Sequence, residues 1–170
     1  FNPIKKGAHV EKYVRKPTLA EINTILTASE GIVTYMTIAP EMFDENCLNL
    51  LINSGIHISA GHSDATFKQA KNAFSKGILK VTHLFNAMSQ FQSRAPGLVG
   101  ATYDSDVFAS IVADGIHVDF NAVKISKKIM GDRLFYIFQN HQPSPPLSDT
   151  ILPSKIVTIR FVSAASSCEC

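Results

Sequence analysis

Short runs of β-branched and apolar residues alternate with amphipathic helical patterns along this chain, and that alternation constrains the fold more than any other feature. Consecutive strand–helix–strand units predict right-handed crossovers and a parallel sheet with helices outside it. Polar residues lie where the strands end, and no G-x-G-x-x-G or Walker pattern follows a strand. We therefore predict an α/β fold that forms part of a (β/α)8 TIM-type barrel. The predicted strands are 32–38, 56–60, 79–83, 108–113 and 134–138.

Capping patterns predict where the helices begin. Thr18 and Glu21 have the spacing of a capping box at the start of the first helix, and Ser63 or Asp64 can cap the third. Residues 86–103 contain a proline and two glycines, so we expect them to be irregular. The predicted helices are 17–29, 42–53, 65–75 and 119–130.

Composition excludes several classes of function. The net charge of +2 comes without a dense Lys/Arg stripe, which disfavours nucleic-acid binding. No apolar run is long enough to span a membrane, and no signal-peptide pattern opens the chain. Cys47, Cys168 and Cys170 match neither a zinc finger nor an even disulfide set, so we expect a reducing, cytoplasmic location. The Cys168 and Cys170 thiols could bind a soft metal or be an incidental pair in a frayed terminus.

The alternation of strands and helices stops near residue 138. Residues 139–146 form a proline-rich polar break, and one β-like run at 156–162 precedes a Ser/Ala/Cys end. We predict one incomplete domain over 1–138 and a divergent, non-native tail over 139–170, to which we assign no structure.

Two histidines close successive predicted strands and are the main candidates for chemistry. His62 and His83 each follow a short β-like run, and one predicted helix separates them. Because neighbouring strand ends lie about 5 Å apart, two such imidazoles can share one metal ion. A buried structural histidine is the alternative for either residue alone. Asp114 and His117 follow the next strand and bring another carboxylate and imidazole to the same edge of the sheet.

Other charged residues lie on neighbouring loops. Arg94 precedes Pro96-Gly97, and its guanidinium suits a phosphate or a carboxylate, although a solvated arginine explains it equally well. Lys5, Lys6 and His9 form a small basic cluster or a solvated turn. Glu41 follows a strand and is a metal ligand, a partner of a ligand, or a carboxylate at a helix N-terminus.

Five motifs together closely resemble the N-acetylglucosamine-6-phosphate deacetylases of the amidohydrolase superfamily. They begin with Asn-Pro-x-Lys-Lys-Gly-Ala-His and continue with Ser-Ala-Gly-His-Ser, Thr-His-Leu-Phe-Asn-Ala-Met, Arg-x-Pro-Gly-Leu and Ala-Asp-Gly-Ile-His. The resemblance covers residues 1–138. It implies a barrel of the metal-dependent amidohydrolase kind, one divalent metal that is usually zinc, release of acetate from N-acetylglucosamine 6-phosphate, and a homodimer that completes phosphate binding across its interface.

The same resemblance implies roles for individual residues. His62 and His83 match the metal-binding histidines, Arg94 matches the phosphate-binding arginine, and His117 matches a substrate-binding histidine. The substrate-binding positions that it implies are Ala8, His9, Asn86, Ala87, Arg94, Asp114, Gly115, Ile116 and His117.

Two departures from the family pattern affect catalysis. The metal-binding glutamate of the family belongs a few residues upstream of the position that matches Phe1, so we expect this chain to begin too late to contain it. Gln139 stands at the position of the catalytic aspartate and cannot accept a proton as a carboxylate does. We therefore assign no catalytic residue and expect the isolated chain to be inactive. The alternative function is a non-catalytic sugar-phosphate-binding or interaction fragment.

Overall fold

The computed structural model describes residues 1–29 and 31–137. Five parallel strands pair in chain order, β1 to β5, which confirms the α/β prediction. The strands are β1 Tyr35–Ile38, β2 His57–Ala60, β3 Lys80–Val81, β4 Phe108–Val112 and β5 Leu134–Ile137. The helices are α1 Leu19–Ala28, α2 Glu45–Ile52, α3 Phe67–Ser75, α4 Gly97–Tyr103 and α5 Phe120–Met130. The predicted tail, including Gln139, Cys168 and Cys170, lies outside the described residues.

Local capping explains where two of the helices begin. Thr18 and Glu21 form the predicted capping box at the start of α1. The prediction for α3 was wrong, because Thr66 and Gln69 cap this helix instead of Ser63 or Asp64. The Ser63 hydroxyl and the Asp64 backbone N–H both donate to the Glu41 carboxylate, so this segment is held in a loop and the helix begins later.

Burial overrides the expectation that residues 86–103 would be irregular. Their last seven residues form α4, which is buried from Gly97 to Thr102. Gly100 allows this close packing, because a Cβ at this position would collide with the Pro96 ring. The second helix begins at Glu45 rather than 42, because the Asp44 side chain accepts a hydrogen bond from the Cys47 N–H and caps it.

The two faces of the sheet differ in chemistry. Apolar side chains such as Ile38, Ile58 and Ile111 join the core between the sheet and the helices. The opposite face of the sheet carries polar side chains. There, the Thr82 hydroxyl lies 2.9 Å from the Thr37 hydroxyl and 2.7 Å from the Ser59 hydroxyl. These polar side chains lie at or next to the carboxyl ends of β1–β3. None of the helices in the described ranges is long and apolar enough to cross a membrane.

Candidate functional site

Two imidazoles meet at the carboxyl edge of the sheet. His62 and His83 each lie two residues beyond their strands, β2 and β3, which are direct neighbours. Their Nε2 atoms are 3.0 Å apart, and the ring centroids are 4.8 Å apart. Two nitrogen ligands on one zinc ion would be about 3.3 Å apart, given Zn–N bonds of about 2.0–2.1 Å and tetrahedral angles. The side chains therefore already converge as two ligands of one ion would.

The protonation state of His62 follows from its hydrogen bond to the main chain. Its Nδ1 lies 2.9 Å from the Lys5 carbonyl oxygen, which can only accept. Nδ1 therefore carries the proton, and the lone pair of Nε2 points at His83. A backbone carbonyl that orients a metal-binding histidine in this way is common in metal sites. In the metal-free protein, the His83 Nε2–H donates to His62, and a cation would take the place of that proton.

Both histidines have left-handed backbone conformations, which non-glycine residues rarely adopt. The φ angles are 48° for His62 and 41° for His83. Neighbouring segments stabilise these conformations: the His83 N–H donates to Ser110 Oγ at 2.9 Å, and the His62 carbonyl accepts from the Asn2 N–H at 2.8 Å. Such a conformation costs about 1–3 kcal/mol per residue and is typical of functional sites.

Burial keeps both imidazoles neutral at physiological pH. It lowers the pKa of His62 to about 4, with the neighbouring His83 ring as the next cause. The pKa of His83 is also lowered, again mainly by burial. A neutral imidazole keeps one lone pair and one N–H, so His62 Nε2 is ready to bind a metal, and the cation has to displace only the proton on His83 Nε2.

Because of these pKa shifts, the metal-free protein is expected to become less stable as the pH is lowered. Unfolded His62 binds a proton near pH 6.5, whereas folded His62 binds one only near pH 4. The unfolded state therefore binds more protons between these values, and the free energy of unfolding decreases as the pH falls through this window. Urea denaturation from pH 7.5 to 4 would measure this. A His62→Asn/His83→Asn variant should lose most of the slope, and an unchanged slope would contradict the assignment.

Glu41 does not point at the imidazoles and is held by other donors. Its Oε2 accepts from the Ser63 hydroxyl at 2.6 Å, and its Oε1 accepts from the Asp64 N–H at 2.7 Å and from Asn2 Nδ2 at 3.0 Å. Of the readings that the sequence left open, this geometry matches a residue that supports a ligand. Within residues 1–29 and 31–137, no three His, Cys, Asp or Glu side chains are grouped to hold a metal. Among the described residues, His62 and His83 therefore fit a metal ion as two of its ligands.

The amino-terminal motif borders the imidazole pair. Gly7 has φ +59°, and a Cβ there would lie 3.3 Å from His62 Cε1, so glycine permits this close approach. The exposed residues Ala8 and His9 follow, and the His9 ring centroid is 5.1 Å from that of His62. The structure thus brings His9 beside the pair, where a ligand of the metal would be within its reach.

Asn86 has an unused hydrogen-bond donor near His83. Its Nδ2 is buried and has no partner among the described residues, although a buried donor normally has one. The neighbouring Ala87 carbonyl accepts from the Ser63 N–H at 3.1 Å and connects the loops that follow β2 and β3. An acceptor on a bound ligand would satisfy Asn86.

The Asp114–His117 segment forms its own small unit after β4. Asp114 Oδ1 accepts from the backbone N–H groups of Ile116 and His117, and Oδ2 lies 2.6 Å from His117 Nδ1. Gly115, at φ 72°, completes the turn, and Gly115, Ile116 and His117 are exposed. The strand that leads to this turn is the direct neighbour of β3, as predicted, but His117 pairs with Asp114 instead of joining the two imidazoles.

Arg94 lines a cavity whose lining does not include the imidazole pair. Arg94 is exposed, and Lys5, Asp64 and Lys68 line the same cavity, which has a volume of about 530 Å³. Lys5 connects the two places, because its side chain faces the cavity and its carbonyl holds His62.

Sequence reasoning missed two contributions to the site and the hydrogen-bond partners of a third residue. The Lys5 carbonyl is a backbone group, which no residue type indicates. The Ser110 hydroxyl lies inside β4 and resembles any small buried residue of a strand. Glu41 was singled out, but its three donors come from two distant segments that a linear pattern cannot connect.

Comparison with known proteins connects this geometry to one family. No family model matches the chain. The chain is 45% identical over 131 residues to an N-acetylglucosamine-6-phosphate deacetylase of Haemophilus influenzae, a match that covers 76% of this chain and 34% of that protein. It is 32% identical over 120 residues to an N-acetylgalactosamine-6-phosphate deacetylase of Escherichia coli O157:H7, covering 69% of this chain and 32% of the relative. The chain thus spans about a third of the length of the curated relatives that it matches.

Solved structures agree with the sequence comparison. The N-acetylglucosamine-6-phosphate deacetylase of Pasteurella multocida superposes with a TM-score of 0.73 at 36% identity, over 79% of this chain and 37% of that one. A Mycobacterium smegmatis deacetylase mutant in complex with N-acetyl-D-glucosamine-6-phosphate superposes with a TM-score of 0.74 at 34% identity, over 79% of this chain and 36% of that one.

Proposed function

We propose that this chain is a segment of an N-acetylglucosamine-6-phosphate deacetylase, the family of the relatives that match 76% of it in sequence and 79% of it in structure. The protein hydrolyses the acetamide of N-acetylglucosamine 6-phosphate and releases acetate and glucosamine 6-phosphate in amino-sugar catabolism. The observation that carries this proposal is the convergence of His62 Nε2 and His83 Nε2 at 3.0 Å in a segment that is 45% identical to a curated deacetylase.

His62 and His83 hold one divalent metal, which we propose is zinc. A metal held by these two residues would lower the pKa of a bound water and polarise the acetamide carbonyl. The Lys5 carbonyl keeps the His62 ring in the tautomer that binds it. Burial keeps both rings neutral near pH 7, so that metal binding displaces the His83 Nε2 proton and no imidazolium charge.

The remaining residues recognise the sugar phosphate. Asn86 donates from its unpaired buried Nδ2 to a substrate oxygen, beside Ala87. His9 and Ala8 contact the sugar phosphate next to His62. On the loop after β4, His117 positions the sugar or stabilises the oxyanion, with Asp114 orienting its ring and Gly115 and Ile116 shaping the turn.

Arg94 binds the 6-phosphate through its guanidinium fork. As the family resemblance implies, the enzyme is a homodimer in which the partner subunit completes the phosphate site. The chain order of five parallel strands supports a partial (β/α)8 barrel. We place the enzyme in the cytoplasm, since its substrate class is an intracellular sugar phosphate.

A non-catalytic sugar-phosphate-binding fragment is the second candidate. The pair supplies two ligands, whereas zinc sites normally have three or four, and the described residues contain no third.

The homology to an N-acetylgalactosamine-6-phosphate deacetylase also makes the 4-epimer of the sugar a substrate to test.

A chimera tests the proposed reaction. Residues 1–137 replace the equivalent segment of the Haemophilus influenzae relative, which supplies the rest of the barrel and the base. With added zinc, the chimera should release acetate from N-acetylglucosamine 6-phosphate, while residues 1–170 alone should release at least about 10²-fold less, because an essential acid–base group is missing. The His62→Ala/His83→Ala chimera is the inactive control. A folded, metal-loaded but inactive chimera would favour the binding fragment, and turnover by residues 1–170 would contradict the reading of Gln139.

A further inference from the structure

Glu41 is a carboxylate whose two oxygens accept hydrogen bonds from three donors, and the positively charged Phe1 amino group is near enough to attract it. It lies in the 3-10 turn Pro40–Met42 after β1 and is half-buried. Its two oxygens accept three hydrogen bonds of 2.6–3.0 Å from Ser63, Asp64 and Asn2. No Lys, Arg or His forms an ion pair with it among the described residues. Hydrogen bonds to a carboxylate are about twice as strong as those to a neutral acceptor, so Glu41 fixes the positions of the segments that donate to it.

The donors belong to the two segments that hold His62. Ser63 and Asp64 directly follow His62, so their bonds fix the backbone that carries the imidazole. Asn2 donates its backbone N–H to the His62 carbonyl at 2.8 Å, and the same short segment leads to Lys5, whose carbonyl orients the ring. Glu41 thus connects the segment that carries the ring to the segment that sets its rotation.

The anchored loop also sets the distance to His83. The Ser63 N–H donates to the Ala87 carbonyl at 3.1 Å, and the Ser63 carbonyl accepts from the Ser89 N–H at 3.0 Å. Ala87 and Ser89 lie in the loop that follows His83. Any displacement of Ser63 from Glu41 is therefore transmitted to the spacing between the two imidazoles.

We propose that Glu41 is a positioning residue that sets the distance between His62 Nε2 and His83 Nε2 without contacting the metal or the substrate. The use of this distance for metal binding rests on the proposed function, whereas the positioning itself concerns the metal-free protein. The carboxylate acts through its acceptor geometry. A glutamine can reproduce that geometry, because its amide oxygen can accept from Asp64 and Asn2, and its NH2 can donate to a rotated Ser63 hydroxyl.

The first measurement needs no metal. In the purified chain, NMR should detect a nuclear Overhauser contact between the His62 and His83 rings, whose centroids are 4.8 Å apart. Glu41→Ala should abolish this contact and keep the one between Phe108 and Phe135, whose stacked rings are 6.0 Å apart in β4 and β5. Glu41→Gln should restore the imidazole contact. Glu45→Ala is the matched control, since Glu45 is an exposed glutamate that pairs with Lys76.

The second measurement is zinc affinity by calorimetry on the same variants in a Cys168→Ser/Cys170→Ser background, which removes the tail thiols as competing ligands. Loss of a residue that orients a ligand typically weakens metal affinity about 10–100-fold, which is the expected effect of Glu41→Ala, with Glu41→Gln and Glu45→Ala near the parent value. An imidazole contact that survives Glu41→Ala overturns the proposal. Loss of both ring contacts also overturns it, because Glu41 then stabilises the whole fold. If the parent binds no zinc but the contacts change as expected, the metal role fails and the positioning role stands.

Discussion

Replacing His62 and His83 together by alanine is expected to abolish saturable zinc binding by residues 1–170. The two Nε2 atoms face each other at 3.0 Å, and both rings are neutral at pH 7 because burial lowers their pKa values. The parent chain should bind weakly, since two imidazoles supply fewer ligands than the three or four of a normal zinc site. Each single variant should also lose nearly all binding, because one partly buried imidazole is a poor chelator by itself.

Calorimetry with zinc, or the visible absorption of bound cobalt, measures this effect. The titrations should be made in a Cys168→Ser/Cys170→Ser background, because two tail thiols can bind zinc by themselves. His57→Ala is the matched control, since His57 is an exposed histidine at the start of β2. Equal binding by the parent and the double histidine variant would refute the assignment of these residues as ligands.

Replacing Arg94 by alanine in the active chimera is expected to raise KM for the phosphorylated sugar by about 10–100-fold. This range corresponds to the loss of about 1.5–3 kcal/mol from hydrogen bonds to a charged group, at 1.4 kcal/mol per tenfold change. Unphosphorylated N-acetylglucosamine offers no phosphate, so its KM should change little. For the phosphorylated sugar, the KM of Arg94→Lys should lie between those of the parent and Arg94→Ala, because an ammonium retains the charge but not the bidentate fork.

The comparison of the two sugars separates phosphate recognition from a general effect on the loop. Arg15→Ala is the control, since Arg15 is exposed and pairs with Glu21 at the start of α1. His9→Ala should shift KM in the same direction as Arg94→Ala, because His9 belongs to the motif that borders His62. Equal effects of Arg94→Ala on both sugars would exclude a role in phosphate binding.

Features set by near neighbours in the chain were predictable. The Thr18–Glu21 capping box forms between residues three apart in the chain. The alternation of strands and helices predicts a parallel sheet, because a helix that connects two strands carries the chain back so that the second strand runs in the same direction as the first. The start of α3 was predicted wrongly although the signals there are also local. Ser63 and Asp64 were the correct type of residue for a cap, but Glu41 accepts from the Ser63 hydroxyl and the Asp64 backbone N–H and holds both residues in the loop before the helix.

The sequence by itself determined that His62 and His83 lie at the carboxyl ends of neighbouring strands, because strand ends follow from local pattern. Only the tertiary structure decided how they meet. The His62 tautomer depends on a carbonyl 57 residues away, and the distance between the imidazoles depends on Glu41 and Ser63, which lie 22 residues apart. These are directional hydrogen bonds between distant segments, and they form only after hydrophobic burial has brought the segments together. The pattern of apolar and polar residues in the sequence specifies which side chains are buried. It does not specify the geometry of the hydrogen bonds that then form between distant segments.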